Sequence, residues 1–209
     1  MVAAATALDW FEGLTSEEQQ MDDVNQPNGI VRWTLRLEQF SALDRPVHAL
    51  EPVTNALFGS GPLAPALRGD WLGHAVHPVL TDVAVGTWLS ASVLDLVGGP
   101  GASAAAQRLV AAGLVSAAPT AWTGWAEWAG LGPRDKRVGL VHFATNGVAI
   151  GLYAASWFAR RRGRHGAGVR LALAGAAVAG VGAYLGGHLT EGRAVASHHP
   201  AYDETTARA

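Results

Sequence analysis

The chain has 209 residues, of which 49% are hydrophobic and 15% charged, and it contains 26 glycines and no cysteine. A charged share this far below the roughly 25% of soluble domains argues against a disordered chain and favours a membrane protein. The formal net charge of −2 gives no sign of a basic face, so we expect no nucleic-acid partner. Without cysteine, any metal or cofactor has to be held by histidine, carboxylate or methionine.

Residues 1–71 are predicted to form an appendage of short helices and irregular stretches. Its start lacks the basic residues of a secretory signal, so we expect no cleaved signal peptide. Thr15 and Glu18 have the spacing of a capping box and predict a short polar helix. Helical apolar periodicity over residues 32–44 predicts an amphipathic helix, which we expect to pack on its own protein rather than lie on a membrane surface. Prolines and glycines predict an irregular connector over residues 45–70, with a short helix around residues 53–58.

Four apolar stretches follow, each about long enough to cross a hydrocarbon core of about 30 Å. They occupy residues 78–97, 104–125, 138–158 and 169–189. Polar residues such as Asp82, Asp95 and Asn146 make the stretches unsuitable as isolated spans, so we expect them to pack on each other. The predicted fold class is therefore all-α, with a four-transmembrane-helix antiparallel bundle over residues 72–192 and a polar tail over residues 193–209. A soluble bundle rich in alanine and glycine is the alternative, which tryptophans near the helix ends disfavour.

Histidines, carboxylates and tryptophans are concentrated at one end of the predicted bundle. Because antiparallel helices alternate in direction, the starts of the first and third helices lie beside the ends of the second and fourth. The residues expected at this end are His74, His77, Asp82, Trp122, Trp125, Glu127, Trp128, His142, Asn146, His188, Glu191, His198 and His199. Ionisable groups at membrane depth usually point into a bundle, pair with each other or serve a site. For Asp95, near the opposite end, we expect an ion pair with Arg108 or Arg170.

One known family has similar motifs in the same order. The chain resembles a bacterial membrane domain of unknown function, catalogued as number twenty-two thirty-one, through GHAVHPVLTDVAVGTWLSASVLDLVGG, AAQRLVAAGLVSAAPTAWTGWAEW, KRVGLVHFATN and GAYLGGHLTEGR. The resemblance covers roughly residues 65–195. It implies a multi-pass protein of the bacterial cytoplasmic (inner) membrane with a layout similar to that of four-helix membrane cytochromes b. It also implies a redox partner of the Rieske type, which would be a separate protein because this chain has no cysteine ligands for such a cluster.

The first hypothesis for the function is a redox-associated protein with one haem b. Two histidines from different helices would bind the iron, and we expect His142 with either His77 or His188. Two glycines are expected to leave room for the macrocycle and two tryptophans to line it, namely Gly186, Gly187, Trp122 and Trp125. This hypothesis makes the protein an electron carrier or a membrane subunit rather than an enzyme.

Two alternatives stay open at this point. A non-haem metal or proton site would use histidine and carboxylate groups suited to zinc, iron or manganese, from the set His77, His142, His188, Asp82 and Glu127. Alternatively, the protein holds no cofactor and anchors or regulates a partner, while its polar groups satisfy one another. The lipid bilayer is the expected partner in every case, and a homo-oligomer is compatible with all three. Motifs of serine hydrolases and of kinases are missing from the sequence.

Overall fold

The computed structural model describes residues 26–59, 61–196 and 198–199, and the predicted polar helix near Thr15 lies outside them. The described part is helical, as the sequence predicts, and its β-type pairing consists of one bridge between His74 and His198. The chain divides into two compact units, Met1–Gln39 and Phe40–Ala209. The compact unit that contains the bundle therefore begins before residue 72.

The described part of the first unit consists mainly of helix α1 (Gly29–Gln39), which is capped by a side chain. Asn28 Oδ1 accepts hydrogen bonds from the backbone N–H groups of Ile30 and Val31, at 3.1 and 3.0 Å. These bonds satisfy two of the donors that lack a partner at the start of a helix. The continuous helix predicted over residues 32–44 was wrong, because α1 ends at Gln39 and a 3-10 turn (Ser41–Leu43) follows.

Two shorter helices open the second unit. Helix α2 (Asp44–Phe58) and helix α3 (Leu63–Arg68) occupy most of the segment that was predicted to be an irregular connector, so that prediction was wrong. The prediction treated the prolines of the segment as helix breakers, but α2 continues through Pro52, which lies inside it. Pro46 and Pro65 lie in the first turns of these helices, where a backbone N–H has no partner within the helix, so neither proline interrupts the helix that contains it. Both helices pack on the long helices that follow.

Four long helices make up the bundle, close to the predicted positions. They are α4 (His77–Val97), α5 (Ser103–Ala129), α6 (Pro133–Arg161) and α7 (His165–Gly187), and α7 continues into a π-helical turn (His188–Gly192). Within the part of the chain that the structure describes, three helices are long and apolar enough to cross a membrane: α4, α6, and α7 with its π turn. Helix α5 has 27 residues and therefore the length for a span, but it is not among the helices that are apolar enough for one.

The bundle consists of two helical hairpins. Helix α4 packs mainly on α5, and α6 mainly on α7, while thinner contacts of α5 with α6 and of α4 with α7 join the hairpins. Helices α4 and α6 are therefore diagonally opposite, and large side chains from both fill the space between them. Trp88 of α4 stacks on Tyr153 of α6, with ring centroids 4.1 Å apart and an angle of 12° between the planes.

A buried ion pair joins the same two helices near the end of the bundle opposite to His77 and His142. Arg160 donates from Nη1 and Nη2 to the two carboxylate oxygens of Asp95, at 2.8 and 2.5 Å, and the side chains are 1% and 3% exposed. Arg160 Nε also donates to Ser156 Oγ at 3.2 Å. The predicted partners Arg108 and Arg170 were wrong, because the diagonal arrangement brings α6 rather than α5 or α7 to Asp95.

Candidate functional site

His77 begins α4, and contacts with α5 fix its ring. The ring Nδ1 lies 2.8 Å from the carbonyl oxygen of Thr120 and 3.3 Å from Thr123 Oγ1. A Cβ added to Gly124 would lie 2.8 Å from His77 Cε1, so the ring needs a glycine at that position. Because a carbonyl oxygen only accepts hydrogen bonds, Nδ1 is the protonated nitrogen and Nε2 is the one available to a ligand.

His142 of α6 has the corresponding arrangement with α7. Its Nδ1 lies 2.8 Å from the carbonyl oxygen of Gly182, and a Cβ added to Gly186 would lie 3.0 Å from His142 Cε1. Asn146, one turn later on α6, places its Nδ2 3.0 Å from His142 Nε2. The ring is thus fixed by a backbone carbonyl, a glycine and an amide side chain.

The two rings lie together in the interior of the bundle. The ring centroids of His77 and His142 are 6.4 Å apart, with an angle of 76° between the planes. Both rings line a cavity of about 410 Å³, whose wall takes residues from all four long helices. This volume lies in the range of about 300–1,000 Å³ that is typical of small-molecule sites. Trp125 and Phe143 contribute to the wall, with ring centroids 4.4 Å apart.

The cavity brings together most of the site residues that the sequence predicts. It is lined by His77, Asp82, Trp125, Glu127, His142, Gly186 and Gly187. His188 and Trp122 are not among its lining residues in the described ranges. Trp122 is 43% exposed and packs edge-on against Phe58 of α2, with ring centroids 5.3 Å apart, because each residue of an α-helix is rotated about 100° from the one before it. His188 begins the π turn beyond the end of α7.

The two glycines have different surroundings from those that were expected. Gly186 leaves room for the imidazole of His142 rather than for a separate flat ligand. At Gly187, in contrast, an added Cβ would meet no atom within 4 Å, so this glycine leaves open space in the cavity wall. Within residues 26–59, 61–196 and 198–199, no group of three histidine or carboxylate side chains is placed to hold a metal ion.

The sequence does not predict the contacts that orient the histidines or close their end of the bundle. The carbonyl oxygens of Thr120 and Gly182 have no sequence signal, because any residue supplies a carbonyl. Val195 and Ala196 of the C-terminal segment line the cavity. The N–H of His199 donates to the carbonyl oxygen of Gly73 at 2.9 Å, which holds this segment against the chain just before α4.

Helix α2 is fixed beside the same end of the bundle by two ion pairs. Arg137 donates to Asp44 at 2.6 and 3.0 Å, and Lys136 Nζ lies 2.8 Å from Glu51 Oε1. The hydrogen bond from Arg137 lowers the pKa of the Asp44 carboxyl, and that from Lys136 lowers the pKa of Glu51. Lys136 also lies 5.2 Å from the ring of the buried Trp128, which lines the cavity.

The family of the chain follows from its match over the bundle. The family model described as "Predicted membrane protein (DUF2231)" matches residues 73–200. The chain belongs to this family. The match confirms the resemblance inferred from the motifs, and the DUF2231 region includes both cavity histidines and the C-terminal segment beside them. No curated protein and no solved structure matches the chain.

Proposed function

We propose that the bundle is a membrane-embedded electron carrier that binds one haem b between His77 and His142. The observation that carries the proposal is the pair of imidazoles from two diagonally opposite helices, with centroids 6.4 Å apart across one cavity. Metal–nitrogen bonds of about 2.0 Å on both sides of one ion give a centroid separation on the order of 6 Å. The separation therefore suits two histidines that would hold one iron between them.

The hydrogen bonds of the two rings also fit a metal-binding role. Histidine ligands usually donate their second N–H to a carbonyl or a carboxylate, which fixes the tautomer and turns the other nitrogen to the metal. The Nδ1 atoms of His77 and His142 both have a backbone carbonyl at 2.8 Å. The Asn146 amide beside His142 Nε2 has to rotate away when that nitrogen binds iron. His188 is the less suitable second ligand because it does not line the cavity in the described part of the chain.

Haem b supplies one-electron transfer when bound, and the protein sets the conditions for it. The two histidines would hold the iron, while Trp125 and Phe143 exclude water from one side of the cavity. We place the protein in the bacterial cytoplasmic membrane with several spans. A separate Rieske-type or other redox protein as electron partner stays a prediction.

The test compares absorption spectra of the oxidised and the reduced protein in detergent. We expect haem b bands in the native chain, and we expect His77→Ala and His142→Ala each to abolish them. His188→Ala is the matched control and should keep the bands. A spectrum that survives His77→Ala but not His188→Ala contradicts the assigned pair of ligands. A colourless protein that contains zinc or iron supports a non-haem site instead, and one without any metal supports an anchor.

A further inference from the structure

The two hairpins of the bundle have related sequences. HPVLTDVAVGTW at the start of α4 aligns without a gap with HFATNGVAIGLY in α6, and AQRLVAAG in α5 aligns in the same way with GVRLALAG in α7. The first alignment places His77 opposite His142 and Trp88 opposite Tyr153. It also pairs Asp95 with Arg160, 65 residues further along the chain. Helix order and direction are the same in both hairpins, as expected for an internal repeat.

The structure brings equivalent residues of the repeat into contact with each other. Three pairs meet between α4 and α6: His77 with His142, Trp88 with Tyr153, and Asp95 with Arg160. A residue contacts its own equivalent only near a twofold axis. The hairpins are therefore related by a pseudo-twofold axis that passes between these three pairs.

The surroundings of the paired residues repeat as well. The His77 ring contacts Gly124 and the His142 ring contacts its equivalent, Gly186. One turn earlier, the carbonyl oxygens of two further equivalent residues, Thr120 and Gly182, accept the imidazole hydrogen bonds. About three helical turns away from the histidines, the lack of a side chain at Gly113 leaves room for the Trp88 ring, and Gly175 leaves room for the Tyr153 ring in the same way. The two histidines thus have matched Nδ1 and glycine contacts on either side of the axis, and they differ in that the equivalent of Asn146, which contacts His142 Nε2, is Thr81, which donates to the backbone oxygen of His77.

The symmetry is broken in the cavity wall. On the side where α5 meets α6, Trp125 and Phe143 place two aromatic rings 4.4 Å apart. Their equivalents in the repeat lie where α4 meets α7 and are Gly187 and Pro78. All four residues line the cavity, and a Cβ at Gly187 would meet no atom within 4 Å. The bulk that fills one side of the cavity is therefore missing from the other side.

We propose that the α4–α7 side is a lateral entrance, through which a flat, lipid-soluble ring compound passes from the bilayer to His77 and His142. The compound is haem b under the function proposed above, and to that extent the inference rests on it. Contacts between α4 and α7 are the sparsest among the four neighbouring pairs of long helices. Asp82 of α4 and Ala183 of α7 line the cavity from this side, and both are exposed.

Asp82 places a carboxylate at this entrance. Its equivalent on α6 is Gly147, which also lines the cavity. A carboxylate that is exposed about one and a half turns inside a membrane helix is costly unless water or a ligand satisfies it.

The first test adds an aromatic side chain to the α4–α7 side of the cavity. Gly187→Trp introduces the residue that Trp125 supplies on the other side, and Gly180→Trp is the matched control, because it places the same residue at an open glycine of the same helix that does not line the cavity. We expect Gly187→Trp to slow haemin uptake by the apoprotein in lipid nanodiscs by at least about tenfold, which corresponds to a barrier of about 1.4 kcal/mol. Gly180→Trp should leave the rate within about twofold of the native one. Equal rates in the two variants, with unchanged helical circular dichroism, overturn the proposal.

The second test does not depend on haem. Because the native chain has no cysteine, Ala183→Cys and its repeat equivalent Ala121→Cys each create a single thiol, one on each side of the cavity. We expect pyrenylmaleimide dissolved in vesicles to label position 183 faster than position 121, and Gly187→Trp to suppress that labelling. If position 183 is labelled faster and the protein takes up no haemin, the entrance is supported and haem is refuted as its ligand. Equal labelling of the two thiols overturns the entrance even where haemin binds.

Discussion

Breaking the ion pair between Asp95 and Arg160 should destabilise the bundle more than any change at an exposed arginine. In the variant Asp95→Leu, the guanidinium of a side chain that is 1% exposed loses both charged hydrogen bonds and keeps only its bond to Ser156. Removal of one partner from a buried pair costs about 3–5 kcal/mol, because the remaining charge is not compensated. We therefore expect the free energy of unfolding to fall by about that amount.

The double variant Asp95→Leu with Arg160→Leu separates the loss of the pair from the cost of a lone charge. Replacement of a whole buried ion pair by apolar side chains is often neutral or stabilising, so the double variant should be more stable than Asp95→Leu alone. The measurement is the free energy of unfolding in mixed micelles, followed by circular dichroism during an SDS titration. Arg108→Ala and Arg170→Ala remove exposed arginines and should change this free energy by less than about 0.5 kcal/mol. A loss below about 1 kcal/mol in Asp95→Leu, or an equal loss in Arg170→Ala, would refute the reasoning.

The exchanged variant, Asp95→Arg with Arg160→Asp, tests the pseudo-twofold axis directly. An ion pair between equivalent positions can be reversed across the axis, so the exchange should recover part of the loss seen in Asp95→Leu. Recovery should be incomplete, because Ser156 supports the native guanidinium and its equivalent in the repeat is Ala91. A variant no more stable than Asp95→Leu would contradict equivalent surroundings for the two positions.

Two further predictions concern packing and pH. Gly113→Ala should lower the unfolding free energy by about 1–3 kcal/mol because the new Cβ overlaps the Trp88 indole, whereas Gly180→Ala, which meets no atom within 4 Å, should raise it by about 0.5–1 kcal/mol in the same SDS titration. Arg137 lowers the pKa of the Asp44 carboxyl, so its stabilisation is complete above the unfolded pKa of about 3.9 and is lost as pH falls through the lower folded pKa. The melting temperature of the native chain should fall as the pH decreases through this range, and that of Arg137→Ala should fall less. An equal dependence of the melting temperature on pH in the two chains would exclude a contribution of this ion pair to stability.

The sequence was sufficient for the helices and for the end of the bundle at which the histidines meet. Apolar length identifies a long helix, and the alternating direction of hairpin helices then assigns His77 and His142 to one end. It was not sufficient for the rotation of each helix about its own axis. Rotation decides whether Trp122 or Trp125 faces the cavity, and the diagonal arrangement of the helices decides which arginine meets Asp95. Both depend on contacts between residues far apart in the chain.

The residues on the pseudo-twofold axis differ in a way that their chemistry explains. Two identical charges cannot be buried next to each other without a large electrostatic cost, so a charged pair on the axis has to be complementary, as Asp95 and Arg160 are. Two neutral imidazoles can meet without that cost, and the axis has the same residue on both sides at His77 and His142. Neither ring uses the other as its Nδ1 partner, because both nitrogens bond to backbone carbonyls. An identical pair oriented by its backbone in this way suits a ligand with two equivalent faces, bound on the axis between the rings.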